Sequence, residues 1–461
     1  MSGVLAQYCE TLKGKTVAVL GAGVSNKPLI ALLLGHGVPI TVRDKSGPEA
    51  FSEELLAQWK AQGAALRLGE DYLEELTEEV IFRSPGIMPH EPALARAIEQ
   101  GSALTSEMEA FFRLCPCPIT AVTGSDGKTT TTTIIAGLLK AAGYKTWLGG
   151  NIGTPLLDKV EEMTAQDRVV LELSSFQLMT MTQSSGVAVV TNVAPNHLDK
   201  HTDMAEYVRA KENVFAHQDA TGKVVLNWDN ETTRAFGRKA PGKAVYFSRR
   251  EILEDGVSVK DAAIWRKGMK VLDLSGITIP GQHNVENFMA AIAAVEGLVD
   301  DETIRRFAHD FTGVEHRIEL VREIGKVKYY NDSIASSPSR TIAGLRSFNQ
   351  RVILIAGGYD KHIPFDVLGP EAVEHVKRLY LTGDTAKKIR AAVENTPGFD
   401  PETLPVVETE DLKEAVELAW AAAQPGDVVL MSPACASFDR YKNFMERGEA
   451  FKAIVAALPE R

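Results

Sequence analysis

The sequence predicts an α/β protein of three domains built on parallel sheets, and three observations lead there. Short apolar runs end in Gly, Asp, Ser or Asn turns and pass into helical patterns, the order that strands joined by crossover helices require. This order recurs along all 461 residues, and at roughly 150 residues per domain that length suggests about three domains. The composition, 44% hydrophobic and 24% charged, is ordinary for a globular chain able to bury several cores.

The same numbers exclude other classes. Fifty Lys and Arg against 61 Asp and Glu leave a net charge of −11. Such a chain is a poor partner for bare nucleic acid or an anionic membrane surface. Four cysteines, Cys9, Cys115, Cys117 and Cys435, are too few for a disulfide framework, and Cys115-Pro-Cys117 lacks the CxxC redox spacing. They read as reduced thiols of a cytoplasmic protein. The N-terminal segment lacks the apolar core of a signal peptide. No apolar run approaches the roughly 20 residues of a membrane span, so no membrane insertion is expected.

Three blocks follow one another. In residues 1–114, Lys15 to Leu20 reads as a strand feeding Gly21-Ala-Gly23, followed by a helix with Pro28 in its first turn. Ile40 to Arg43 is a second strand ending at Asp44, and Glu107 to Leu114 a helix before the stiff Cys115-Pro-Cys-Pro118 connector. Residues 115–313 open with a strand at Ile119 to Val122. Later strands are expected at Arg168 to Leu173, Val187 to Asn192 and Lys223 to Leu226, with a long amphipathic helix from Asn284 to Leu298. Residues 314–461 carry expected strands at Arg351 to Ala356, Arg378 to Thr382 and Asp427 to Met431, each entering a polar loop. Ligands of open α/β sheets sit at such carboxyl ends.

Thr123-Gly-Ser-Asp-Gly-Lys128-Thr-Thr130 is the strongest chemical signal. Glycine loops between a strand and a helix wrap nucleotide phosphates with backbone N–H groups. Lys128 is placed to neutralise the β/γ phosphates, and the Thr129 hydroxyl to reach Mg²⁺. Gly124 stands closer to Gly127 than in the standard GxxxxGK[ST] loop, so this is a shortened variant. The apolar run Val169 to Leu171 delivers Glu172 to a strand end, where the acid of a phosphate-loop site usually binds Mg²⁺.

Other signals are open when taken alone. His197, in Asn196-His197-Leu-Asp199, suits a ligand or a structural histidine. Lys211, in Tyr207-Val-Arg-Ala-Lys211, has the look of a solvated surface lysine on a helix. Gly21-Ala-Gly23-Val-Ser25-Asn26 resembles a dinucleotide fingerprint with Asn26 in place of the last glycine. Asp44 lies 23 residues after Gly21, near the spacing of a ribose-binding acid. That corner could hold NAD, another nucleotide or nothing. Arg83-Ser84-Pro85-Gly86-Ile87 is either an ordinary turn or a second loop facing the same crevice.

The motifs TGSDGKTT, GGNIGTP, LELSSFQL, NHLD, YxxAK, GQHNVEN, HRIE, NDS and SPACASFD occur in the order found in the Mur ligases. These ATP-dependent enzymes assemble the peptide stem of peptidoglycan, and the resemblance spans essentially the whole chain. It implies a Rossmann-like N-terminal domain, a central P-loop-type ATPase domain and a Rossmann-like C-terminal domain. LELSSFQL, NDSIASSP and SPACASFD imply addition of D-glutamate to UDP-N-acetylmuramoyl-L-alanine through an acyl phosphate.

The resemblance also implies roles. Gly124, Ser125, Asp126, Gly127, Lys128, Thr129 and Thr130 would hold the ATP phosphates, with Asn151 near the γ-phosphate. Glu172, with Thr129, would bind one Mg²⁺, and His197 and Lys211 a second. Mn²⁺ is a possible substitute, since histidine is an unusual magnesium ligand. Lys211 would be carboxylated, since an ammonium repels Mg²⁺ and a carbamate offers oxygen. Asn284, Arg317 and Asp332 would face the adenosine. Gly23, Val24, Ser25, Asp44, Lys45, Ser84 and Gly86 would bind the UDP part, and Ser336, Lys361, Ser437 and Phe444 D-glutamate. A monomer acting on small molecules is expected. The chain departs from the family pattern at Ser125-Asp126, Asn196 and Ile334. Other amino-acid ligases, including folylpolyglutamate types, share this chemistry. An NAD-dependent oxidoreductase would leave the Lys128 loop unused.

Overall fold

In a computed structural model describing residues 3–197 and 200–460, the chain forms mixed α/β structure with three largely parallel sheets among those residues. Five parallel strands in the order Ala65–Leu68, Thr41–Asp44, Val17–Leu20, Val80–Arg83, Ala103–Thr105 form the first. All of them fall before residue 115. The central sheet has nine strands. Its parallel part runs Lys243–Ser248, Lys223–Asn227, Val187–Val190, Ile119–Thr123, Arg168–Glu172, Thr146–Gly150, and an antiparallel hairpin extends it beyond Val257–Lys260. Six strands form the third, with Val428–Met431 between Val327–Asn331 and Val352–Ala356.

Strands in all three sheets are short and β-branched, and the central ones are buried on both faces, as parallel sheets require. Their expected positions hold to within a few residues. Lys15 to Leu20 is observed as Val17–Leu20, and Arg378 to Thr382 as Val376–Leu381. Compactness divides the chain into two units, Met1–Leu274 with Glu286–Phe307, and Ser275–Val285 with Ala308–Arg461.

In the central sheet the chain leaves Ile119–Thr123 for one edge and later returns on its other side. Arg168–Glu172 therefore lies on one flank and Val187–Val190 on the other. That reversal opens a crevice at the carboxyl end of Ile119–Thr123, where α/β proteins bind ligands. Register pairs Val122 with Glu172 and Thr123 with Val190, so the acid and the glycine loop emerge side by side.

Candidate active site

The loop after Ile119–Thr123 is shaped by two glycines. Gly124 has φ +151° and Gly127 φ +76°, conformations that favour glycine. A Cβ on Gly124 would overlap the Thr191 side chain, and one on Gly127 the Asn287 side chain. The helix Lys128–Ala141 starts directly behind, and its first internal bond runs from Thr131 N–H to the Gly127 carbonyl. Its first turn thus points backbone amides toward the loop, the geometry that attracts phosphate.

The loop is anchored from the Thr191–Ala194 segment. Asp126 N–H donates to Asn192 Oδ1 at 3.0 Å, and Thr191 Oγ1 donates to the Asp126 carbonyl at 2.6 Å. Ser125 faces inward. Its amide donates to the Asn192 carbonyl, and its hydroxyl exchanges hydrogen bonds with the Ala194 backbone and lies 2.9 Å from Tyr207 Oη. Both polar groups of Ser125 are thus engaged by protein, which makes it a support of the loop. The Asp126 side chain is exposed, which relieves the crowding of a carboxylate beside phosphates. Lys128 Nζ donates to the Gly124 and Ser125 carbonyls at 3.0 and 2.8 Å.

Glu172 ends its strand at 2% exposure. Asn151 Nδ2 donates to its Oε1 at 2.8 Å, and Asn151 N–H to its backbone carbonyl at 2.8 Å. Gly150, at φ +92°, permits this approach, because a Cβ there would strike the Glu172 carbonyl. Glu172 Oε2 is buried without a hydrogen-bond partner. A buried carboxylate oxygen left in this state is costly unless a cation joins it.

Lys211 departs most from its local sequence. On the helix Met204–Glu212 it is 1% exposed, and its Nζ donates to the Gly124 carbonyl at 2.7 Å while lying over the Tyr207 ring. Burial, and then repulsion from Lys128, hold its pKa well below the usual lysine value, against the attraction of Asp126 and Glu172. The surface-lysine reading fails here, because the helix docks the face carrying Lys211 onto the phosphate loop. His197 is exposed, with φ +56° and its ring edge-on to Phe176 at 5.1 Å. Leu198 and Asp199 of the same motif lie outside the described residues. Thr129 is half-buried at the helix start, and Thr130 is buried.

In the first sheet, Asp44 Oδ2 accepts Ala22 N–H at 2.6 Å and its Oδ1 accepts Ser46 N–H at 2.8 Å. Asn26 is buried, and its Nδ2 donates to the Leu20 and Gly21 carbonyls. That role explains the asparagine in the glycine position: it closes the turn from within. Gly23, Val24 and Lys45 are exposed, as is Gly86, while Ser25 and Ser84 are half-buried on the same sheet edge.

In the second unit, Asp332 is buried. It accepts from Ser432 Oγ at 2.7 Å and from Ile318 N–H, and burial pushes its carboxyl up to about 7. Lys361 is exposed, its ammonium 6.0 Å from the Phe438 ring. Ser437 is buried, Ser336, Arg317 and Phe444 are half-buried, and Asn284 donates to the Pro280 carbonyl. The Phe444 ring meets His316 edge-on at 6.0 Å.

Sequence reasoning missed several supports. Arg447 is buried and donates to Ser333, Cys435 and Ala436, fixing the loop that carries Ser437. Tyr207, Asn192 and Asn287 brace the phosphate loop. His201 is buried between Ser175 and Glu206, and Arg83 is buried as well. None stands in a glycine-rich pattern; Tyr207 and Asn287 lie within the YxxAK and GQHNVEN motifs, and the repeat of histidine at 197 and 201 is the signal for His201.

A shortened phosphate loop, an acid with an open oxygen on the adjacent strand and a buried lysine bonded to the loop define a phosphate-loop α/β protein with a cation-ready site. Residues 122–295 match the Mur ligase middle domain, and residues 316–435 the glutamate ligase domain of Mur ligases. The chain belongs to the Mur ligase family. It is 54% identical to the UDP-N-acetylmuramoylalanine–D-glutamate ligase of Acetivibrio thermocellus, over 99% of this chain and 100% of that one. The enzyme of the same name from Ruminiclostridium cellulolyticum is 48% identical over 99% of each chain. Among solved structures, the fold is similar to that of UDP-N-acetylmuramate–alanine ligase from Thermotoga maritima. The TM-score is 0.57 at 17% identity, over 96% of this chain and 99% of that one.

Proposed function

We propose that this chain is an ATP- and Mg²⁺-dependent ligase that adds D-glutamate to UDP-N-acetylmuramoyl-L-alanine during peptidoglycan precursor synthesis. The observation that carries this reading is near-full-length relatedness, at 47–54% identity, to curated proteins bearing that ligase's name.

Gly124, Gly127, Lys128, Thr129 and Thr130 receive the triphosphate, with Ser125 and Asp126 completing the loop, Ser125 held by Ala194 and Tyr207 and the Asp126 backbone by Thr191 and Asn192. The acceptor carboxylate attacks the γ-phosphorus, ADP departs, and an acyl phosphate forms. The amine of D-glutamate then attacks the acyl carbonyl, phosphate leaves, and the amide nitrogen loses its proton. Lys128 neutralises charge on the transferring phosphoryl group. Asn151 holds one oxygen of Glu172 and leaves the other without a protein partner, available to a cation. The open Glu172 oxygen, with the Thr129 hydroxyl, would hold Mg²⁺, which prefers hard oxygen ligands. Bound there, Mg²⁺ supplies electrostatic stabilisation to the phosphates.

A second cation between His197 and Lys211 is part of the proposal, with Lys211 as a carbamate. Support comes from its burial and lowered pKa: a neutral amine can add to CO₂ and release a proton, and the product offers oxygens. Gly23, Val24, Ser25, Asp44, Lys45, Ser84 and Gly86 take the UDP part of the acceptor. Asn284, Arg317 and Asp332 serve adenosine, and Ser336, Lys361, Ser437 and Phe444 serve D-glutamate. The proposal divides the chain into domains at residues 1–114, 115–313 and 314–461, and the strands of each sheet fall within one of these ranges. A monomer in the cytoplasm completes the proposal, and four free thiols suit a reducing compartment.

The test is phosphate release with UDP-N-acetylmuramoyl-L-alanine across L-alanine, D-glutamate, L-lysine and L-glutamate. Release with D-glutamate alone is expected, and release with another member alone overturns the assignment. Lys211→Ala is expected to lose activity at least a hundredfold, with partial rescue by a small carboxylic acid. Full activity without additive would remove the carbamate.

A further inference from the structure

Arg83 has no part in the chemistry above, yet it is among the most buried side chains, at 1% exposure. It ends the strand Val80–Arg83 and opens the Ser84–Ile87 loop. A buried guanidinium needs its donors taken; Arg83 Nε has no partner, and the two terminal nitrogens make all of its hydrogen bonds. Nη1 donates to the Ile87 carbonyl at 2.7 Å, with the Ser84 and Pro85 carbonyls at 3.5 and 3.4 Å, so the loop curls around it. Nη2 faces the other way, to the Phe176 carbonyl at 2.6 Å and Thr180 Oγ1 at 3.3 Å. One planar group thus holds two segments distant in sequence.

The second segment leads to the phosphate loop. Phe176 lies in the helix Ser175–Leu178, just after Glu172. Its ring stacks on His201 at 5.2 Å and 8°. His201 Nε2 lies 2.9 Å from Ser175 Oγ, and its Nδ1 lies 3.2 Å from Glu206 Oε2. The helix bearing Glu206 also bears Tyr207 and Lys211, which touch Ser125 and Gly124. Packed groups therefore run without a break from the Ser84–Ile87 loop to the ATP loop.

We propose that Arg83 is a positioning residue that couples the UDP-acceptor loop to the ATP loop through Phe176 and His201, so that each ligand tightens binding of the other. This rests on the reading of Ser84 and Gly86 as acceptor contacts. Movement of the acceptor loop must carry Phe176 with it or break a buried charge-assisted hydrogen bond. Lysine cannot replace the arrangement, because its single nitrogen lacks the two-sided fork. Coupling between binding sites is reciprocal, so it can be read from either ligand.

The experiment is calorimetric titration of the full chain with a non-hydrolysable ATP analogue and Mg²⁺, with and without saturating UDP-N-acetylmuramoyl-L-alanine. Wild-type protein is expected to bind the analogue roughly tenfold more tightly with acceptor present. In Arg83→Lys and Arg83→Met, each ligand still binds alone, and the ratio falls toward one. His201→Phe keeps a stacking ring and removes both hydrogen bonds, so its ratio also falls. It decides the matter if the Arg83 variants do not fold. A wild-type ratio of one, or an unchanged ratio in a folded variant, overturns the coupling and leaves the ligase reading intact. Failure of wild-type protein to bind the acceptor at all overturns both.

Discussion

Two strand–glycine-loop–helix corners, at Gly21–Asn26 and Gly124–Lys128, share a backbone plan and differ in how their polar groups are satisfied. At the first, Asp44 accepts the Ala22 amide and Asn26 Nδ2 caps the turn carbonyls, so the carboxylate is paired and the group left buried without a partner is an uncharged amide oxygen, Asn26 Oδ1. At the second, Glu172 Oε2 has no partner, Lys211 is buried with its charge disfavoured, and the loop is braced from outside by Thr191 and Asn192. A corner whose charge is already paired can offer an edge to a ligand at little cost. A corner holding a buried carboxylate oxygen without a partner, and a buried amine whose charge is disfavoured, is poised for a ligand that supplies the missing charges.

The largest expected contrast comes from the glycines. Gly124→Ala should reduce ligase activity at least a thousandfold and destabilise the protein by about 3 kcal/mol, through backbone strain and overlap with Thr191. Gly23 has nothing within 4 Å of a new Cβ, so Gly23→Ala should leave the melting temperature unchanged. Equal melting shifts in the two variants would break the comparison. The acids come next. Glu172→Gln should lower kcat by about 10²–10³, whereas Asp44→Asn should raise the KM for the UDP substrate several-fold and leave kcat nearly intact. Steady-state kinetics with each substrate varied would expose the reverse pattern.

A smaller effect concerns Glu107, on the helix between the two corners. Burial pushes its carboxyl from 4.5 to about 7, and its Oε1 has no hydrogen-bond partner. Between those values the folded state binds more protons than the unfolded one, so this group's contribution to stability falls as pH rises from about 4.5 to about 7. Glu107→Gln should therefore flatten the loss of urea resistance between pH 5 and pH 8. An identical pH dependence in both proteins would show that Glu107 is ionised in the fold.

The two corners also differ in how much of them could be read in advance. The phosphate loop announces itself, because Gly124, Gly127, Lys128 and Thr129 act through backbone geometry and nearest neighbours. Glu172 follows from an apolar strand that ends in an acid. At the first corner the glycines and Asp44 leave NAD, another nucleotide or no ligand open, since Asn26 reveals its role only once the Leu20 and Gly21 carbonyls turn toward it. From its local sequence Lys211 looks like a surface residue, and Ser125 like a phosphate contact, although the Ser125 hydroxyl turns to Ala194 and Tyr207.

The sequence alone determined the alternation of strand, loop and helix, the position of the shortened phosphate loop and the acid beside it. All of these are encoded in short-range patterns of apolarity, glycine and charge. Tertiary structure decided which charges lose contact with water. Lys211 against Gly124, Arg83 between Ile87 and Phe176, and the open oxygen of Glu172 depend on segments far apart in the chain. Solvent exclusion is a property of packed surfaces, and no local run of residues specifies it.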